Sequence, residues 1–390
     1  MKNIPHFPVI VPQARRNGCN TDGDNTNRLL RERHAPSWQE GGLFLQMHTS
    51  PLACLLVLVC LIGWTSLSPA GTAPIRVVAS TPDLASLARE VGGERVKVFC
   101  LTQGPEDPHT LAVRPGLVRE LNAADLFIQV GLGIENAWLK DLLAGVKNNE
   151  LKPGGKANLN LGRGTRLLAG MDREGLTNSF HEEGNPHYLL DPVEGLRAAK
   201  TICDRLTAFR PAWTAEIEKR HETFHRRLAT LLVGEECAGE KDLERVLLEF
   251  EQAKSRSEID ALLKEHRLGG WIGRMLPYRG TIVVGDHDLW PYFARRYGLS
   301  ILGYLEPSPG SPPTTRHLQG LIGQMKEKEV GSLLSAPYFE ERHARFVAKR
   351  TGAKILPMAH QSGARPAAED FTAMARFNVE QLLQHLERKQ

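Results

Sequence analysis

Two Pro-His pairs, Asp107-Pro108-His109 and Asn185-Pro186-His187, are the residues whose types first suggest chemistry. Proline locks its own φ and biases the residue before it toward an extended conformation, so each histidine leaves a stiffened loop. Preorganised loops suit ligands. His287 stands where the β-branched run Thr281–Asp286 (TIVVGD) enters a helical segment, and His360 follows AKILPM in a comparable place. Open α/β sheets put their binding crevice at such strand ends, so all four histidines are able to face one cleft. Imidazole suits zinc, copper, nickel and iron, and zinc takes four ligands in a tetrahedron. Spacings of tens of residues are normal when the ligands come from separate loops. Any one of these histidines alone reads as a solvated loop side chain; their common position at strand ends joins them.

A second pattern competes. His221-Glu222-Thr223-Phe224-His225 is an HExxH, whose histidines lie one helical turn apart with the glutamate as the general base of a zinc hydrolase, and Glu249 or Glu251 is a conceivable third ligand. Lys219, Arg220, Arg226 and Arg227 flank the motif and would crowd four cations around a dication. It therefore reads as helix surface, and the protein is not expected to be an enzyme. There is no P-loop, no GxSxG elbow and no GxGxxG between a strand and a helix. The run Glu306–Pro313 (EPSPGSPP) reads as a stiff loop leading to a helix capped by Thr314 or Thr315.

The elements that must position these residues alternate strand and helix, the pattern of an α/β fold with mostly parallel strands. Strands are expected at 75–80, 96–101, 125–131, 281–286, 300–304, 330–335 and 353–358. Helices are expected at 83–91, 115–122, 289–297, 314–328, 338–351 and 367–387. Pro192 opens a stretch to about Leu232 in which Trp213, Ile217, Phe224, Leu228 and Leu231 share one side of a helical wheel. A single helix of that length would span ~60 Å and join two lobes. Residues 235–268 read as an added charged helical hairpin.

Composition agrees with a globular protein. Of 390 residues, 41% are hydrophobic and 24% charged, and the formal charge of +4 is too near neutral to attract nucleic acid. One apolar run stands apart, Leu52–Leu67 within MHTSPLACLLVLVCLIGWTSLSPAGTA, and it reads as a signal peptide cleaved after Ala70. An uncleaved membrane anchor is the alternative. Either way the globular part is exported. Residues 1–46 have no apolar period and read as a disordered or spurious extension. Cys100, Cys203 and Cys237, which follow the signal, form neither a disulfide framework nor a CxxC.

Residues 80–139 (STPDLASLAREVGGERVKVFC…GIENAWL) resemble the N-terminal lobe of the zinc- and manganese-binding solute-binding proteins of ABC uptake transporters. NPHYLLDP and GDHDLWPYFARRYGL look like that family's next two signatures, and the similarity runs in order from about residue 75 to 385. The resemblance implies a periplasmic or surface receptor of two lobes, each a small, mostly parallel four-stranded sheet flanked by helices, joined by one long rigid linking helix. It implies one metal ion between the lobes, an ABC permease with its ATPase as partner, and action as a monomer. His109, His187 and His287 match the family's histidine ligands. At the fourth position the family usually has a carboxylate, whereas this chain reads Pro357-Met358-Ala359-His360-Gln361. His360 or water would fill that place, which favours Zn2+ over Mn2+, because a hard ion prefers oxygen. The loop at His181-Glu182-Glu183 resembles in miniature the His/acid-rich loop of some zinc receptors. The expected division is 1–46 extension, 47–70 signal peptide, 71–191 N-terminal lobe, 192–233 linking helix, 234–270 inserted helical segment and 271–390 C-terminal lobe. A zinc hydrolase built on 221–225 and a surface adhesion module are the alternative functions.

Overall fold

Short runs, β-branched in the first strand of each half, build a parallel sheet in each half of the chain. The computed structural model describes residues 73–164, 184–239, 243–253, 255–307 and 311–388, all within the unit Ser68–Gln390. The expected extension, signal peptide and acidic loop at 181–183 lie outside the described residues.

The first sheet contains β1 (Ile75–Ala79), β2 (Val96–Cys100), β3 (Leu126–Gln129) and β4 (Asn158–Asn160), all parallel in the order β2-β1-β3-β4. Helices α1 (Pro82–Gly92), α2 (Pro115–Asn122) and α3 (Asn136–Ala144) lie between these strands in sequence. Proline opens α1 and α2, where its missing N–H has no intrahelical acceptor to lose. The central β3 is buried throughout, whereas β2 at the edge alternates. Sequence reasoning placed neither β4 nor α3, because Asn-Leu-Asn is too short and polar to show a period.

The expected single helix over 192–233 is two helices. α4 (Pro192–Phe209) ends at Arg210, which adopts φ −141° and ψ 80°, and Pro211–Trp213 form a 3-10 turn before α5 (Thr214–Val233). Pro211 lacks an N–H and disfavours helical geometry at Arg210, and this outweighs the continuous apolar face on either side. The two helices pack side by side as a hairpin. The ~30 Å α5 makes the link, with one face on α1 and the other on α9 (Gly270–Met275). Between α5 and α9 come α6 (Glu235–Ala238), α7 (Leu243–Gln252) and α8 (Arg256–His266), so the insert is helical as expected; Ser255 and Glu258 form a capping box at α8.

The second sheet has the same topology: β5 (Ile282–Gly285), β6 (Ser300–Tyr304), β7 (Ser332–Ser335) and β8 (Lys354–Pro357), parallel in the order β6-β5-β7-β8. Its helices are α10 (Pro291–Tyr297), α11 (Thr315–Glu327), α12 (Glu341–Thr351) and α13 (Phe371–Glu387). In both sheets the chain order reverses beside the first strand, the switch point where a ligand crevice opens.

One apolar cluster runs from β1 through α4 and α5 to Leu334 and α13, so the lobes share a core. Smaller clusters cover the other face of each sheet. Close approaches tighten the seam. A Cβ on Gly195 would sit 2.1 Å from the Phe371 ring, and one on Gly104 would sit 2.2 Å from the Gly363 carbonyl carbon. Polar contacts cross it as well. Asp83 Oδ1 accepts the Ser362 backbone N–H at 2.7 Å and its hydroxyl at 2.5 Å, and Asp191 accepts a bidentate pair from Arg296 at 2.7 and 2.8 Å. Breaking a buried pair of this kind by removing one partner costs ~3–5 kcal/mol. Cys100, Cys203 and Cys237 form no disulfide among the described residues. Among the described residues no helix is long and apolar enough to cross a membrane.

Candidate metal centre

His109, His187 and His287 converge. Each offers a ring nitrogen, and these atoms lie within 4.8 Å of one another; among the described residues this is the one such group of three or more potential metal ligands. Ring centroids are 5.1 Å apart for His109 and His187, and 6.0 Å for His287 with either of the others.

His109 lies in the loop after β2. Asp107 Oδ1 accepts its backbone N–H at 2.9 Å and stands 2.8 Å from its Nδ1. A carboxylate at Nδ1 holds the proton there and leaves the Nε2 lone pair for a cation. Burial opposes charge on Asp107, but the hydrogen bonds from His109 prevail and hold its carboxyl below the usual range. Trp138 Nε1 donates to the Pro108 carbonyl at 3.1 Å and pins the loop.

His187 begins the 3-10 turn His187–Leu190 ahead of α4. Asn185 Oδ1 accepts its backbone N–H at 2.9 Å, while Asn185 Nδ2 donates to the Asp288 carbonyl at 2.8 Å. The Tyr188 hydroxyl donates to the Val130 carbonyl at 3.0 Å, so this segment is tied to both lobes.

His287 follows β5. Its Nδ1 is hydrogen-bonded to Glu306, just past the end of β6, and its ring stacks on Phe339 with centroids 5.4 Å apart. Asp286 accepts the His287 backbone N–H at 2.9 Å and Trp290 Nε1 at 3.1 Å. Burial raises the Asp286 carboxyl to about 6, against the pull of these donors.

His360 lies after β8 but does not join the three. Its Nε2 is 2.9 Å from the Glu106 carbonyl, which only accepts, so Nε2 carries the proton. Its Nδ1 is buried without a hydrogen bond. Burial lowers its pKa to about 4, partly offset by the bond to Glu106. His109 and His287 line a cavity of about 740 Å3 walled also by Ile134, Pro312, Tyr338 and Phe339.

The HExxH lies on α5, with ring centroids 6.1 Å apart. Neither glutamate considered as a third ligand joins it: Glu251 pairs with Arg296 at 2.6 Å, and Glu249 stands 3.4 Å from His266. Sequence reasoning missed the roles of Asp107 and Glu306. Asp107 is two residues from its histidine and was visible in the motif. Glu306 was read as part of a structural loop, and its one signal was its place at the end of the neighbouring strand.

The family described as "Zinc-uptake complex component A periplasmic" matches residues 77–234 and 261–385. The high-affinity zinc uptake system protein ZnuA of Yersinia pestis is 24% identical over 305 residues, 74% of this chain and 83% of its own. The manganese ABC transporter substrate-binding lipoprotein PsaA of Streptococcus pneumoniae is 21% identical, covering 85% of this chain and 94% of its own. In fold, the solute-binding protein FpvC of Pseudomonas aeruginosa, solved with Mn2+, superposes with a TM-score of 0.59 at 17% identity, over 81% of this chain and 100% of that one. With two matching lobes and a match over most of its length, the chain belongs to the family of the periplasmic component A of zinc-uptake complexes.

Proposed function

We propose that this protein captures Zn2+ between its lobes through His109, His187 and His287 and delivers it, as an exported monomer, to an ABC permease driven by its ATPase. No bond is made or broken in the cargo. The carrying observation is the convergence of three imidazoles from three separate loops. Asp107 and Glu306 support it by standing at Nδ1 of two of them. Both carboxylates also balance the charge of an incoming dication.

The matched relatives are named for zinc in one case and manganese in another. The donor set favours zinc, because three nitrogens suit a borderline ion and Mn2+ prefers oxygen. Water fills the fourth place in this arrangement, and His360, which stands outside the trio, would have to move to fill it instead. With Nε2–H engaged, Nδ1 is the His360 atom able to ligate. Export rests on the uncharged run Leu52–Leu67, with tethering by an uncleaved anchor as the alternative.

Calorimetric titration tests this reading. His187→Ala and His287→Ala are expected to weaken Zn2+ binding by more than ~100-fold, beyond the range seen when only a ligand's hydrogen-bond partner is lost. Mn2+ is expected to bind less tightly than Zn2+. Full affinity in His287→Ala would sink the assignment, and tighter Mn2+ binding would sink the choice of cargo.

A further inference from the structure

We propose that His221 and His225 form a second, weaker site for a late first-row divalent cation such as Zn2+, Ni2+ or Cu2+, on α5 and apart from the cleft. The pair is spaced i, i+4, so both rings stand on one face of the helix. Their centroids are 6.1 Å apart, close to the 5.1–6.0 Å of the cleft histidines.

His221 Nε2 is buried without a hydrogen bond, an unmet polar atom that a cation would satisfy. The two rings border a pocket of about 610 Å3 shared with Glu222, Arg226, Thr230 and Glu235. Glu235 accepts from the Thr230 hydroxyl at 3.2 Å. Two imidazoles would leave the remaining coordination places to water, since among the described residues no third ligand gathers with them as closely as in the cleft trio. Burial keeps both histidines below their usual pKa, and for His221 the neighbouring His225 adds to this, so the neutral, ligating form prevails at neutral pH.

The flanking cations, which argued against any metal on sequence grounds, are mostly directed elsewhere. Arg227 pairs with Glu90 at 3.0 Å, and the Arg220 guanidinium lies against Gly93. Lys200, on the adjoining α4, pairs with Asp204 at 2.5 Å. Of the four cations flanking the motif, Arg226 alone lines the pocket. Two imidazoles without a third nitrogen bind more weakly than the cleft trio and exchange readily. The order of metals is therefore expected to follow intrinsic affinity, with Cu2+ strongest.

The test uses the full chain with His109→Ala, His187→Ala and His287→Ala, which silences the cleft. One equivalent of Cu2+ is expected to remain, with nitrogen couplings in its electron paramagnetic resonance spectrum. Adding His225→Gln is expected to weaken that equivalent by about tenfold or more. In the wild-type background, His221→Gln with His225→Gln is expected to remove the weaker equivalent and leave the tight one, an arm that decides the matter even if the triple variant fails to fold. Residual Cu2+ binding that ignores His225→Gln, or a weaker equivalent that survives loss of both histidines, overturns the proposal. A cleft that binds nothing in the wild type, with the weak equivalent still sensitive to His225→Gln, would overturn the cleft reading and leave this one standing.

Discussion

The two lobes share a strand order but hold their cleft histidines by different means. In the N-terminal lobe, Asp107 supports His109 from two residues away in the same loop, with side chains 30% and 23% exposed. In the C-terminal lobe, Glu306 reaches His287 from the end of the next strand, with side chains 12% and 5% exposed. The first arrangement is local and wet, and the second is tertiary and dry. A charge-assisted hydrogen bond gains strength as water is excluded, so the C-terminal lobe offers the more rigid, preorganised ligand.

That contrast presumes that the seam holds the lobes together, and Asp191→Ala would break it there. Removing Asp191 takes one of two carboxylates from the buried Arg296 and leaves it with Glu251 at 2.6 Å, so unfolding by denaturant is expected to show a loss at or below the lower end of ~3–5 kcal/mol. A stability unchanged by this substitution would mean that the seam relaxes and that burial at the C-terminal half is no measure of rigidity.

The second seam contact titrates. Burial raises the Asp83 carboxyl from its ordinary 3.8 to about 6, although Ser362 donates to it. Both bonds from Ser362 fall on Oδ1, leaving Oδ2 to carry the proton. Between those values the folded state holds a proton that the unfolded state has lost. The contribution is therefore present below pH 3.8 and disappears as pH rises through 6, by roughly 3 kcal/mol. Asp83→Asn should flatten that slope in melts across pH 4–7; an identical slope in the variant would remove Asp83 as its source.

The comparison itself is sharpened by the two carboxylates. Glu306→Gln is expected to weaken Zn2+ binding by ~10–100-fold, the usual cost of losing a ligand's hydrogen-bond partner. Asp107→Asn, in wetter surroundings, is expected to stay near the ~10-fold end of that range. The reverse order in competition titrations would show that local support matters more than burial.

Much of the fold was legible from sequence, for definite reasons. β6 and α2 lie at their expected bounds, because a short apolar run after a glycine turn and an initial proline act over a few residues. The linking segment was misread, since its apolar period continues through Pro211 while the backbone does not. β4 was invisible because three residues pair only once β3 is beside them.

The site divides along the same line. The Pro-His motifs, with Asp107 beside His109, are local chemistry and stand in the chain as written. That His109, His187 and His287 meet, that His360 turns its Nε2 to Glu106, and that Glu306 rather than a nearer acid supports His287 depend on two sheets closing on one core. Contacts between residues tens of positions apart are set by which surfaces must be buried together, and only the folded molecule decides that.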